Sequence, residues 1–134
     1  MDIETATRWL DDHFTDWVRA LDIRVDDVAC TGAVLSMPVT NAIKRSGGIA
    51  AGPALTALTD TAMVVACAGH NRGFRPVATV TLDTQFLRPA SGERISCTAT
   101  ILRAGRSLIF LRAALTEEPS GKDVAHATAT FAVQ

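Results

Sequence analysis

The chain has 134 residues, 48% hydrophobic and 20% charged, without a linker-like tract, charge block or internal repeat, so a single domain over 1–134 is expected and disorder is excluded. Thirteen basic against 14 acidic residues, dispersed along the chain, argue against nucleic-acid and membrane-surface partners. The acidic, amphipathic start lacks a secretion signal and points to the cytoplasm, and Cys30, Cys67 and Cys97, odd in number and without CxxC spacing, read as reduced core residues, with no metal or cofactor expected.

Over residues 3–21, Ile3, Ala6, Leu10, Phe14, Trp17 and Leu21 recur at helical spacing between charged positions, which predicts an N-terminal surface helix within 1–21. Runs at 23–30 and 33–39, joined at Thr31-Gly32, predict a hairpin. A polar, glycine-bearing loop at 41–48 precedes Gly52-Pro53, which reads as a helix start because proline at the first helical position gives up only an orphaned donor. The helix then runs over 52–69. Almost every position from Ala54 to Ala68 is apolar or Thr, so the helix is expected to lack a solvent face, with Ala54, Ala57, Ala62, Ala66 and Ala68 allowing close approach of other elements. Its length suits a membrane span, but Asp60 lies at its centre, and a mid-bilayer Asp costs about 2.5 to 3.5 kcal/mol. Burial inside protein fits better.

Four strands follow by period-2 alternation, at 77–87 (Ala78, Val80, Leu82 and Phe86 inward), 94–102, 107–115 and 124–133. The turns at 90–92, 104–105 and 119–121 are short, so the strands are expected to form an antiparallel meander. Helix, hairpin, buried helix and four strands make an α+β fold in which a curved sheet wraps a central helix.

The runs GGIAAGPALTALTDTAMVVA, VATVTLDTQFLRPASG, LRAGRSLIFLRAAL and VAHATATFAV, in that order, resemble the hotdog-fold acyl-CoA thioesterases of the phenylacetate-degradation type, over about 41–133. The resemblance implies a hotdog fold, hydrolysis of acyl-CoA, and assembly as a homodimer or dimer of dimers with the site at a subunit interface. It places the catalytic acid at Asp60, within LTDTA, and an oxyanion-binding N–H at Gly52. Ala51-Gly52-Pro53 stands where the family has His-Gly-Gly, and Arg45 where it often has Asn. The family's polar residue on the following strand corresponds to Thr79.

Asp60 could act as general base on a water or as nucleophile, and the residues do not choose between the two. Its bland alternative is a structural acid bonded to Thr56 or Thr61. Gly52, at a helix N-terminus, could polarise a carbonyl, with Ala54 as a second donor, or could be a plain helix cap. Gly47 and Gly48 read first as loop geometry, with Gly48, Pro53 and Arg45 also candidates for substrate contact. Among Arg72, Arg75, Arg88, Arg103 and Arg106, which could clamp the phosphates of CoA, Arg103 and Arg106 are favoured, and Thr79 could hold a water or be an ordinary strand residue. His13, His70 and His126 lack metal spacing and read as surface residues. A non-catalytic acyl-CoA binder is the alternative function. A hotdog dehydratase ranks last, since no His partner lies near Asp60 in sequence. An exposed sheet edge predicts self-association.

Overall fold

The computed structural model describes residues 1–70 and 75–134, so Arg72 lies outside the described residues. Helix α1 (Ile3–His13) is capped by Asp2, whose side chain accepts from the Thr5 N–H at 2.8 Å, and it buries Ala6 and Leu10. The single N-terminal helix expected from the spacing is broken. Phe14 is extended (φ −98°, ψ 152°), its ring set edge-on to Trp9 at 5.9 Å, and Thr15 starts a separate turn, α2 (Asp16–Arg19). Trp17 consequently points outward and is exposed.

The strands are β1 (Arg24–Ala29), β2 (Gly32–Pro38), β3 (Val77–Phe86), β4 (Arg94–Ala104), β5 (Leu108–Glu118) and β6 (Asp123–Val133), and helix α3 (Gly52–Gly69) lies between β2 and β3 in sequence. They form one six-stranded antiparallel sheet in the order β1-β2-β4-β5-β6-β3. The sheet curls around α3 in the hotdog arrangement, and the inward residues Leu35, Met37, Ile95, Cys97, Leu111, Leu115 and Phe131 share a core with Leu58, Ala62, Met63, Val65 and Ala66. Among the described residues no helix is long and apolar enough to cross a membrane.

The four-strand meander does not form. Strands β4, β5 and β6 follow one another, but β3 pairs with β6 at the far edge, not with β4. Residues 87–93 therefore cross the open end of the curled sheet instead of making a hairpin. They are tied there by Ala50 N–H to Ala90 C=O at 2.8 Å and by Leu87 N–H to Val124 C=O at 2.9 Å. This crossover lays the segment after β3 over the amino end of α3.

Two further expectations change. In β3 the register against β6 shifts between Thr79 and Thr81, leaving Val80 as a bulge. The bulge reverses the alternation. Thr79 stands opposite the fully buried Phe131, so Val77 and Thr79 share the inner face with Leu82 and Phe86, whereas Val80 is 57% exposed. Helix α3 also has an open stripe. Pro53 is exposed, and Thr56, Ala57, Asp60, Val64 and Ala68 are half-buried, while Ala54, Ala62 and Ala66 face the sheet.

Candidate active site

Asp60 lies on that stripe, half-buried, at the middle of an otherwise apolar helix. Its Oδ1 accepts a hydrogen bond from Thr79 Oγ1 at 2.7 Å. The bulge at Val80 makes the contact possible, because without it the Thr79 side chain would keep the outward direction that strict alternation from Leu82 assigns to it. The helix's own threonines are not partners of Asp60. Thr59 Oγ1 donates to the Leu55 carbonyl at 2.8 Å and Thr61 Oγ1 to the Ala57 carbonyl at 2.7 Å, so both back-bond one turn and leave the carboxylate to the strand. A charge-assisted bond of this kind fixes one carboxylate oxygen and leaves Oδ2 free to take a proton or to attack.

Cys67, two turns further along α3, is not a rival nucleophile. Burial, and secondarily the charge of Asp60, push its thiol up to about 12. Burial likewise pushes Cys97 up to about 12 against a hydrogen bond with Thr59. Cys30, expected in the core, is exposed at the β1–β2 turn, where its carbonyl bonds His70 Nδ1 at 2.8 Å.

The second part of the site is the amino end of α3. Ala51 is the N-cap and offers no side-chain bond, and Pro53 has no N–H. The Ala54 N–H donates to the Ala51 carbonyl at 3.0 Å, so it is not the second donor that the sequence suggested. Gly52 retains the outward-facing N–H of the first turn, at the positive end of the helix dipole. A Cβ added to Gly52 would touch the Phe86 ring at 3.5 Å, an ordinary contact, so packing within the chain does not require glycine there.

A groove of about 370 Å³ opens at this end, lined by Arg45, Ile49, Gly52, Phe86, Leu87 and Arg88 among others. Arg88 is held in place by an Nη1 bond to the Asp123 carbonyl at 2.9 Å. Of the residues expected to bind substrate, Arg45 lines this groove, beside the expected oxyanion donor Gly52. Gly48, with φ of 76°, forms the turn closed by its own N–H to the Arg45 carbonyl at 3.1 Å, and Pro53 faces the open stripe; neither lines the groove. Arg103 and Arg106 flank the β4–β5 turn at the other end of α3, where the Arg106 carbonyl accepts from Arg75 and Gly105 shares a small cavity with Cys67 and His70. Arg88, named in the sequence only as one of five, joins Gly52 and Arg45 there. The crossover puts it there, and nothing in its local sequence announces the crossover.

Asp60 and Gly52 of one chain do not meet. They lie eight residues apart on the helix, about 12 Å along the axis.

The thioesterase superfamily profile matches residues 47–123, more than half of the chain. The chain belongs to the thioesterase superfamily. No curated protein sequence matches it significantly. Among solved structures, zebrafish thioesterase superfamily member 2 is similar at 26% identity and a TM-score of 0.85, over 98% of this chain and 95% of that one. A thioesterase of Haemophilus influenzae is similar at 19% identity and a TM-score of 0.89, over 100% and 91%. The PaaI protein of the E. coli phenylacetic acid degradation operon is similar at 20% identity and a TM-score of 0.86, over 98% and 93%. At these identities the last two likenesses concern the fold. The matched thioesterase-superfamily segment contains Gly52, Asp60 and Thr79, and it leaves out α1 and Arg45.

Proposed function

We propose that the chain is an acyl-CoA thioesterase working as a cytoplasmic homo-oligomer, a dimer or dimer of dimers of single-domain subunits. Asp60 is its base or nucleophile and Gly52 of a second copy its oxyanion donor. The observation that carries this reading is the Thr79–Asp60 hydrogen bond of 2.7 Å on the open stripe of α3. It holds a carboxylate, which a wholly apolar helix face would reject, beside a surface that a substrate can reach. In the general-base route Asp60 Oδ2 takes a proton from water as the oxygen attacks the thioester carbon. The Gly52 N–H stabilises the charged oxygen, and the tetrahedral centre collapses with loss of the CoA thiolate, which takes up the proton. In the nucleophilic route the carboxylate adds to the carbon and the C–S bond breaks, so that the CoA thiolate leaves and a mixed anhydride remains; water then cleaves the anhydride to the free acid and the Asp60 carboxylate, and its second proton goes to the thiolate.

The separation of Asp60 from its own Gly52 supports a site shared by two copies, and so does β3, an edge strand open on one side and exposing Val80 at 57% and Phe86 at 52%. The substrate and pathway of the phenylacetate-degradation type are the finer extension of this reading. Asp60→Asn is expected to lower kcat by about 10³-fold or more while the fold persists, since it removes the only proposed base. Unchanged thiol release from an acyl-CoA panel would overturn the mechanism. One observation favours a second reading, a non-catalytic acyl-CoA binder: with Pro53 lacking an N–H and Ala54 bonded to Ala51, the helix end offers a single donor. Saturable binding without thiol release by the unaltered protein would select it.

A further inference from the structure

We propose that Glu117 is a positioning residue of this site, whose buried carboxylate holds the Ala90–Ser91 peptide group against the amino end of α3 and so fixes where the Gly52 N–H stands. The inference rests on the proposed hydrolysis for the role of Gly52 and deepens it by naming what keeps that donor in place. Strand β5 turns Ile109, Leu111, Ala113 and Leu115 into the core, and Glu117 is the next residue of that inward row, only 8% exposed and opposite the fully buried Ile95. Among the described residues it is the one buried carboxylate, and no salt bridge reaches it. Burying a carboxylate without a cation is costly, and a leucine would continue the row without that cost. Glu117 instead accepts a hydrogen bond through Oε2 from the Ser91 N–H at 3.0 Å.

The bond matters because of the peptide group that makes it. The Ser91 N–H and the Ala90 carbonyl belong to one peptide unit, and that carbonyl accepts from the Ala50 N–H at 2.8 Å. Carboxylate, peptide and Ala50 N–H therefore form one polarised chain, in which the charge at Glu117 strengthens the second bond. Ala50 and Ala90 are buried, which raises the cost of breaking it. Ala50 stands two residues before Gly52, and together with the Ala51 N–H, bonded to the Ile43 carbonyl at 2.7 Å, it fixes the entry to α3. The first part of the crossover is held independently, since Leu87 and Arg88 hang on Val124 and Asp123 of β6. Glu117 is thus the side chain that couples the end of β5 to the helix start. Gly92 permits the coupling: a Cβ there would lie 2.5 Å from the Glu118 carbonyl oxygen and 3.1 Å from Glu117 Cβ, so the segment passes β5 at a distance that only glycine allows.

Two conservative variants of the full chain separate reach from charge. Glu117→Asp keeps the charge and withdraws the carboxylate by one methylene, whereas Glu117→Gln keeps an acceptor at the original reach. In Glu117→Asp, residue-resolved amide hydrogen exchange is expected to quicken by about tenfold or more at Ala50 and Ser91, beyond any change at Leu111 in the middle of the sheet. In the same variant kcat for hexanoyl-CoA is expected to fall about tenfold or more with KM nearly unchanged, because a misplaced donor acts on charge that develops only in the transition state. Glu117→Gln is expected to restore both to within about threefold of the parent. A purely structural carboxylate would lower the melting temperature of Glu117→Asp and leave kcat of the folded protein at the parent value, and that result would overturn the proposal. Unchanged exchange at Ala50, or a larger loss in Glu117→Gln than in Glu117→Asp, would overturn it as well, and each of these outcomes leaves the hydrolase intact. Absence of thiol release by the parent defeats hydrolysis instead. Hexanoyl-CoA binding about tenfold weaker in Glu117→Asp would then support the clamp, and equal binding would overturn it.

Discussion

Gly52→Ala separates function from architecture by moving stability and activity in different directions. Within its own chain the new methyl group would lie 3.5 Å from Phe86 Cζ and 3.7 Å from Cε1, an ordinary contact that requires no movement. Its backbone angle lies outside the left-handed region, so alanine is unstrained. Replacing glycine by alanine in a helix gains up to about 1 kcal/mol in the interior and less in the first turn, so the variant is expected to melt at or slightly above the temperature of the parent. The catalytic effect has the opposite sign. If the thioester carbonyl approaches the Gly52 N–H, the methyl group obstructs the approach and weakens the single donor at this helix end. Loss of one such donor costs about 2.7 to 4 kcal/mol, equivalent to about 10²- to 10³-fold in kcat. Thermal unfolding, oligomeric state by light scattering and thiol release from acyl-CoA esters measure the three quantities on one preparation. Activity within about twofold of the parent would show that the carbonyl does not sit at Gly52, since an effect near 3 kcal/mol could not be hidden. A loss of stability above about 1 kcal/mol would show instead that packing explains the glycine.

Gly69→Ala provides the structural contrast: its Cβ would lie 2.6 Å from Val28 Cγ2, so about 1 to 3 kcal/mol of stability is expected to be lost in denaturant unfolding, with kcat little changed in the folded fraction. Thr79→Val keeps the shape of the side chain and removes the donor to Asp60 Oδ1; a fall in kcat of about tenfold with little change in KM is expected, and a change in KM alone would make Thr79 a substrate contact and not a positioner of Asp60. Cys67 and Cys97, both raised to about 12, hold their protons in the folded chain after unfolded thiols begin to ionise near 9. The folded state then binds more protons than the unfolded one, so stability is expected to fall as pH rises from about 9 toward 12, by about 1.4 kcal/mol per pH unit for each thiol, and the slope should lessen in Cys67→Ala. At pH 8 only Cys30 should react with a thiol reagent before unfolding.

The residues that were legible in sequence were those whose chemistry conflicts with their surroundings. Asp60 stands out on an apolar helix whatever the topology, and Gly52-Pro53 marks a helix start through proline's missing N–H. What the sequence hid depends on pairing. Strict alternation puts Ala78 and Val80 in line with Leu82 and Phe86, and only the register against β6 reveals the bulge that turns Thr79 toward Asp60. A bulge adds a residue without a compositional mark, so a single strand cannot disclose it. The same limit misplaced the connection at 87–93. Its Pro89 and Gly92 fit a hairpin as well as a crossover, and the choice is made by β6, some thirty residues later, taking the position beside β3. Arg88 therefore entered the Gly52 groove unseen, while Arg103 and Arg106 went to the opposite end of the helix.

The strand that orients the carboxylate is also an edge strand, paired with β6 on one side and open on the other. Natural edge strands discourage pairing by being short or by carrying charges or proline. Strand β3 has ten residues, VATVTLDTQF, with Asp83 as its sole charge and no proline, and its outward Val80 adds apolar surface. Such an edge favours addition of a second copy, and antiparallel pairing about a two-fold axis would bring the β3 strands together with the half-open stripes of α3 on either side. The requirement of the chemistry and the exposed edge then have one solution. A carboxylate about 12 Å from the donor of its own helix needs a donor from elsewhere, and the edge that carries its hydrogen-bond partner is where another chain can supply it. In this proposed arrangement a substitution that blocks β3 pairing would abolish catalysis without touching Asp60, Thr79 or Gly52, so assembly and activity would be coupled through the same ten residues.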